Sequence, residues 1–306
     1  MIRFPALKPP PHNPAESHEF AWDGVSFRVP RDWNLSSYNY QGPVVNITME
    51  DDVAVRLELE WMRFDRTLDL ERIRERYVRA SEKLQAKAVT TVRLTEVPND
   101  WMAYLYTMAD KRRLIVAFHV GGTGRFFCFL RLHGEEVGEK SLRNALQLLV
   151  STLRTHVDGV IPWQVYDVAF VLPREFRLES TSFQAGRKQM IYGWRLRRLY
   201  LWYFSLADVL LKDKRPEEWA VEFLNKGKEM HGPVFSVAPD GSILAKRATA
   251  YPFGHFEEIG RWTFRYRIIC RHDPVRNQVV LAVFNYRQDS DLALFPGRQG
   301  EIFPSG

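Results

Sequence analysis

The sequence predicts an α+β fold made of two tandem repeats, each an antiparallel sheet flanked by helices. One observation is a phrase that occurs twice, as GVSFRVPRDWNLS (Gly24 to Ser36) and as DVAFVLPREFRLE (Asp167 to Glu179). Another is that segments with strand-like alternation are interrupted by helical periodicity, which favours α+β layers over a doubly wound parallel sheet. The length of 306 residues is enough for two domains of ordinary size.

The two copies of the phrase align without a gap at an offset of 143 residues. Apolar residues alternate from 25 to 29, as in a strand with one buried face. Pro30 then ends the strand, because proline cannot donate to a ladder. The aromatic residue that follows, Trp33 in the first copy and Phe176 in the second, is predicted to plug the core.

The agreement continues into a second strand, VRLELEW (Val55 to Trp61) in the first copy and RRLYLWY (Arg197 to Tyr203) in the second. A helix follows each of them. In the first half its charges alternate in sign over Asp69 to Lys83, which indicates a solvated outer face. In the second half Pro216 suits a first helical turn.

Each half then offers strands again. The first has WMAYLYTM, followed by RRLIVAFHV and RFFCFLRLH around a GGTG turn, and it closes with a helix of about 18 residues. The second has an Asp240-Gly241 turn, then RWTFRYRIICRH and NQVVLAVFNY. We therefore predict an extended Pro-rich arm over 1–17, repeats over 18–158 and 159–295, and a C-terminal tail over 296–306.

Composition narrows the class of protein. The net charge is +6, with 43 basic against 37 acidic residues, so the surface is mixed and not polycationic. No secretory signal and no run of about 18 apolar residues is present, which predicts a cytoplasmic chain without a membrane span. Cys128 and Cys270 could form one disulfide, but buried free thiols are the expectation for a reducing compartment.

No pattern of catalytic or metal-binding residues emerges. His255 beside Glu257 and Glu258 is the best metal candidate, although a histidine in a solvated loop explains it as well. The GGTG segment lacks the Lys-Ser/Thr of a phosphate loop and is explained by a hairpin turn. We predict no catalytic residues, no metal and no cofactor, and hence no enzyme activity.

The phrase GVSFRVPRDW, a strand that ends in proline and an aromatic residue, resembles the opening of PsbP-like domains. The resemblance would cover nearly the whole chain twice and implies an antiparallel sheet flanked by helices, in a pseudo-dimer formed by one chain. The superfamily includes photosystem accessory subunits, a factor that binds a Ran-type GTPase, lipoproteins and chaperones of secreted effectors. The resemblance therefore implies a binding or assembly module and supplies no catalytic residues.

The two copies disagree at one face of the second strand. Where the first copy has Glu58 and Glu60, the second has Tyr200 and Trp202. This face either packs on the other domain, a helix or the arm, or it binds a partner, because Tyr, Trp and Arg anchor many interfaces. The predicted partner-binding residues are the aromatic row and its basic neighbours: Tyr200, Trp202, Phe204, Arg187, Lys188, Arg195, Arg197 and Arg198.

These observations predict a protein-binding or assembly subunit without catalytic activity. Three alternatives remain open: a chaperone for hydrophobic segments of a secreted effector, a nucleic-acid-binding accessory protein, and an enzyme with a site between the domains. Basic residues beside aromatic ones would suit single-stranded nucleic acid, but acidic residues elsewhere dilute the positive charge.

Overall fold

The computed structural model describes residues 16–63, 75, 79, 82–120, 126–134, 137–156, 159–227, 230, 233–247 and 265–295. Several predicted features lie outside the described residues, wholly or mostly: the arm 1–17, the tail 296–306, the GGTG turn, the helix Asp69–Lys83 and the cluster of His255, Glu257 and Glu258. The chain divides into two compact units. Met1–His156 and Pro162–Asp167 form unit 1, and Val157–Ile161 and Val168–Gly306 form unit 2.

The fold is rich in β-structure, so the predicted α+β class with helical flanks is wrong. The described residues form nineteen strands, three α-helices and one 3-10 helix. The helices are short, at 14, 5 and 11 residues. The segments with helical periodicity form isolated helices, and each helix covers only part of one sheet face. β-Hairpins cover other parts of these faces.

Unit 1 contains a small sheet in the order β10-β2-β1-β11 and a seven-stranded sheet in the order β3-β4-β5-β9-β8-β7-β6. Their strands are antiparallel. The elements are β1 (Ser17–Trp22), β2 (Val25–Pro30), β3 (Asn34–Gln41), β4 (Val44–Glu50), β5 (Val55–Arg63), β6 (Ala88–Leu94), β7 (Trp101–Met108), β8 (Arg113–Val120), β9 (Phe126–His133), α1 (Glu139–Thr152), β10 (Arg154–Thr155) and β11 (Val160–Val165, of which 162–165 belong to this unit).

The core of unit 1 is built on the alternation of β5. Leu57, Leu59 and Trp61 are buried and lie opposite Leu132, Leu130 and Cys128 of β9. The helix α1 packs on β2 and β9 and buries its leucine stripe there. The hairpin β1–β2 contributes apolar cover of its own, since the Trp22 ring lies 5.0 Å from that of Tyr38 on β3.

Unit 2 is organised around one five-stranded antiparallel sheet in the order β13-β14-β15-β19-β18. The hairpin β16–β17 forms a sheet of its own. The elements are β12 (Val168–Pro173), β13 (Arg177–Gln184), β14 (Arg187–Trp194), β15 (Arg197–Ser205), α2 (Ala207–Leu211), α3 (Pro216–Lys226), β16 (Pro233–Val237), β17 (Ile243–Arg247), β18 (Arg265–Asp273), β19 (Gln278–Tyr286) and a 3-10 helix (Asp289–Leu294).

The five-stranded sheet buries apolar side chains on both faces. One face packs against α3 and the hairpin β16–β17, where Trp219, Leu224 and Phe235 are buried. The hairpin is attached to α3 by the Asn225 side chain, which donates to the carbonyl of Phe235 at 3.0 Å and accepts from its amide at 2.9 Å.

The repeated phrase forms the same turn in each unit. The amide of Trp33 donates to the carbonyl of Pro30 at 3.1 Å, and the amide of Phe176 donates to that of Pro173 at 3.1 Å. Both aromatic side chains are buried. The phrase therefore ends a strand and starts a core-filling turn twice; that the whole domain is duplicated stays a prediction.

Candidate partner-binding cleft

The predicted aromatic surface lies in the core of unit 2. Tyr200, Trp202 and Phe204 are 5%, 0% and 5% exposed. They face α3, where the ring of Phe223 lies 5.7 Å from that of Trp202. Their assignment as partner-binding residues is therefore corrected, because side chains covered by a helix cannot contact a partner without local unfolding. The alternative expectation, that this face packs on a helix, describes the structure.

Burial under α3 also explains the change from charged to aromatic residues. In unit 1, Glu58 keeps a side chain that is 41% exposed and pairs with Arg131 at 3.0 Å. A carboxylate under a packed helix would lose its hydration without compensation, whereas aromatic rings gain by burial. The change from glutamate in β5 to aromatic residues in β15 therefore reflects the helix α3, which covers this part of the sheet in unit 2.

Three of the predicted basic residues have partners within unit 2. Arg197 pairs with Asp291 at 2.8 Å, and Arg198 pairs with Glu179 at 2.7 Å. Arg187 donates to the side chain of Gln189 at 3.1 Å, and its guanidinium lies 5.5 Å from the centre of the Phe223 ring. These contacts hold all three side chains within unit 2, and carboxylates neutralise the charges of Arg197 and Arg198.

The other two predicted basic residues do not extend this group into a patch. Lys188 is half-buried. Arg195 is exposed at the turn between β14 and β15, with its guanidinium 5.3 Å from the Trp194 ring centre. The structure therefore distributes the five predicted cations over different surroundings and does not join them with an exposed aromatic surface.

The two thiols are free and buried or half-buried. Burial raises the pKa of Cys128 far above its usual range, and burial together with Glu217 raises the pKa of Cys270 to about 12. Both are therefore protonated at neutral pH and poor nucleophiles. Among the described residues, no group of three or more His, Cys, Asp and Glu side chains could hold a metal ion.

One serine lies beside a histidine in unit 1. The Ser26 hydroxyl and the Nε2 atom of His156 are 2.9 Å apart. Ser26 is only 3% exposed, so a substrate carbonyl could not reach its oxygen in this conformation. The hydrogen bond instead attaches the segment after β10 to β2, as does the amide of His156, which donates to the carbonyl of Gly24 at 2.8 Å.

A cleft with a volume of about 490 Å³ opens at the end of the seven-stranded sheet where β7 turns into β8. Its apolar floor is formed by Met108 and Leu114, which also pack against the cluster of Met62, Tyr106 and Phe127. The basic lining is Lys87, Arg112, Arg113 and His133, and the acidic lining is Asp110. The cationic side chains therefore surround a small apolar surface.

The charged side chains that line this cleft differ in whether they form ion pairs. Arg112 pairs with Asp110 at 2.6 Å, at an exposed position. Lys87 and Arg113 form no ion pair with another described residue. Lys87 is exposed and Arg113 half-buried. Within the described residues, this leaves two cations available to an anionic group.

His133 forms the inner wall of the cleft. Its Nε2 atom is 3.6 Å from Glu58 Oε2 and is buried without a hydrogen bond to another described residue. The neighbouring His133 side chain, together with Arg131 and against the opposing effect of burial, lowers the pKa of Glu58 to about 2. Glu58 is therefore ionised at neutral pH and a weak proton acceptor.

The cleft was not found from the sequence. The sequence does carry one trace of it, the run of three basic residues from Lys111 to Arg113, of which Arg112 and Arg113 line the cleft. Strand pairing brings two further basic residues close to this run. Ala88, next to Lys87, pairs with Met108, and His133 pairs with Leu114. Such pairings depend on strand register, which sequence alone did not provide.

Comparisons with known proteins give no family. No family model and no curated protein matches the chain. One solved structure, the immunity protein TplEi of the type VI secretion system from Pseudomonas aeruginosa in complex with "L" peptide, is 10% identical, with 91% of this chain and 94% of that one covered. Its TM-score of 0.30 is too low to support an inference about this chain. The resemblance to PsbP-like domains stays a prediction.

None of the helices among the described residues has both the length and the apolar character needed to cross a membrane.

Proposed function

We propose that this chain is a protein-binding or assembly subunit without catalytic activity, and that its cleft holds an acidic segment of the partner. The observation that carries the proposal is the cleft of unit 1, where Lys87 and Arg113 stand beside the apolar floor of Met108 and Leu114. Cations beside an apolar surface suit a peptide that has both acidic and apolar side chains.

The lining favours protein over nucleic acid. The part of the lining that the structure describes contains no Phe, Tyr or Trp on which a base could stack.

The test is affinity capture with the full chain, using the wild type and the double variant Lys87→Glu, Arg113→Glu. We expect a stoichiometric protein that the wild type retains and the double variant loses, since charge reversal would repel an acidic segment. Lys140→Glu is the matched control, because Lys140 is an exposed lysine of α1 outside the cleft.

Titration with the purified partner measures how much affinity each variant loses. We expect the double variant to weaken binding by about tenfold or more, and the control by less than about twofold. Equal retention by the wild type and the double variant would contradict the proposal. So would capture of nucleic acid alone, released with a steep dependence on salt.

A further inference from the structure

The edge strand β6 begins directly beside the cleft. Lys87 precedes its first residue, Ala88, and Ala88 pairs with Met108 of the cleft floor. Within the described residues, β6 pairs only with β7 and ends the seven-stranded sheet. The outer side of an edge strand presents unpaired amide and carbonyl groups, which can pair with another chain.

The side chains of β6 leave this edge open. Val89 is 67% exposed and Val92 is 46% exposed. Val89 is the residue at which the pairing with β7 shifts, since Ala88 pairs with Met108 and Thr90 with Thr107. Arg93 is the one charged residue in the strand, whose sequence is AVTTVRL.

Other edges of the described sheets are protected differently. The edge strand β18 of unit 2, RYRIICRHD, carries Arg265, Arg267 and Arg271, and charged side chains are a common protection against edge pairing. The edge strands β3 (NLSSYNYQ) and β13 (RLESTSFQ) are mostly polar and have no exposed valine. Among the described edges of the two large sheets, the one that exposes valines is therefore the one next to the cationic cleft; the small hairpin β16–β17 also exposes Val234 and Leu244.

We propose that the acidic segment of the partner binds as an extended strand added to β6, and that its acidic end continues past Lys87 into the cleft towards Arg113. This inference rests on the proposed function and specifies how that site is used. Backbone hydrogen bonds to the free edge would give affinity, and Val89 and Val92 would contact alternate apolar side chains of the added strand. The seven residues of β6 span roughly 23 Å, which accommodates a segment of about seven residues.

The test selects peptides from a displayed library of random twelve-residue sequences on the immobilised full chain. We expect enriched peptides that contain alternating β-branched residues with Asp or Glu clustered at one end. A synthetic copy of an enriched peptide should slow amide hydrogen exchange in β6 at least about tenfold and leave the edge strand β13 unchanged. N-methylation of alternate amides in that peptide should abolish binding.

Variants of the edge supply the second readout. Val92→Lys should weaken binding of the same peptide by about tenfold, whereas Val53→Lys, at a valine that is 66% exposed in a loop, should not change it. Failure of the library to enrich any peptide, unchanged exchange in β6, or full binding by Val92→Lys would overturn strand addition.

The outcomes also separate this inference from the proposed function. A partner that depends on Lys87 and Arg113 but binds without protecting β6 would leave the function standing and refute strand addition. A dimer of the chain that is lost in Val92→Lys would show that the occupant of the edge is a second copy, which would equally refute an acidic partner there.

Discussion

The ring of Phe204 lies edge-on to the indole of Trp219, with 4.8 Å between their centroids and 78° between their planes. This contact joins the central strand β15 to α3. The ring of Phe223 extends it, at 5.1 Å from Phe204 and 5.4 Å from Trp219. The aromatic row of β15 therefore holds a helix on its sheet, which is a role in stability.

Phe204→Ala should lower the free energy of unfolding by about 3–5 kcal/mol, because a large buried ring is replaced by a cavity. Denaturation in urea, followed by tryptophan fluorescence, measures the loss. Leu196→Ala is the control, since Leu196 is 57% exposed in the same unit, and it should change stability by less than about 0.5 kcal/mol. A loss below about 1 kcal/mol in Phe204→Ala would show that α3 does not depend on this ring.

The pair of Arg197 and Asp291 should make stability depend on acid pH. Burial raises the pKa of Asp291, but hydrogen bonds from Arg197 and from the amides of Gln288 and Arg287 outweigh it and hold the pKa at about 2. Because the folded pKa lies below the ordinary aspartate value of 3.8, the contribution of the pair to stability is complete above pH 4–5 and is lost as pH falls towards about 2.

Arg197→Gln should therefore cost about 3 kcal/mol at pH 7, since it leaves a buried carboxylate without its cation. The difference from the wild type should shrink between about pH 4 and pH 2, where Asp291 becomes protonated. Urea denaturation of both proteins across that range checks the prediction. A difference that stays constant down to pH 2 would mean that Asp291 is not the group responsible.

Gly24→Ala should destabilise unit 1 more than Gly42→Ala. Both glycines have positive φ, at +83° and +61°, so each substitution costs about 1 kcal/mol in backbone strain. Only at Gly24 would the new Cβ also lie 2.9 Å from the carbonyl oxygen of His156, whereas Gly42 has open space. We expect a difference of at least about 1 kcal/mol between their unfolding free energies; equal losses would contradict the close contact.

The two thiols should react slowly in the folded protein. Burial raises the pKa of both, to about 12 at Cys270, so little thiolate exists at pH 7.5. Ellman's reagent should modify Cys128 and Cys270 far more slowly than it modifies free glutathione, and both should react once guanidinium unfolds the chain. Fast modification of either thiol in the native protein would show that its surroundings open readily.

Sequence reasoning succeeded where one element alone decides the pattern. Val25, Phe27 and Val29 are buried as their alternation predicted. The predicted closing helix of the first half is found as α1, although it has 14 residues and not about 18. Strands with mostly polar sequences were missed, such as β3 with its sequence NLSSYNYQ, because only Leu35 among its residues is buried and no apolar alternation marks the strand.

The features that could not be predicted depend on contacts between segments that are distant in the sequence. A row such as Tyr200, Trp202 and Phe204 looks the same in sequence whether a helix covers it or a partner does, and only the position of α3 distinguishes the two. The cleft likewise requires residues as distant as Lys87 and His133 to meet through the register of four strands. Fold class failed for a related reason, since the number of helical segments did not reveal how little sheet they cover.

The two large sheets share the order of five of their strands. The series β3-β4-β5-β9-β8 in unit 1 has the same connectivity as β13-β14-β15-β19-β18 in unit 2. The hairpin β16–β17 takes the place of β6–β7 in the chain order of unit 2, but it forms a sheet of its own and does not extend the five-stranded one. The strand that forms the proposed binding edge is thus an addition to the five-stranded arrangement that both units contain. Such an arrangement lets recognition diversify by exchanging one hairpin, while the residues that govern folding stay as they are.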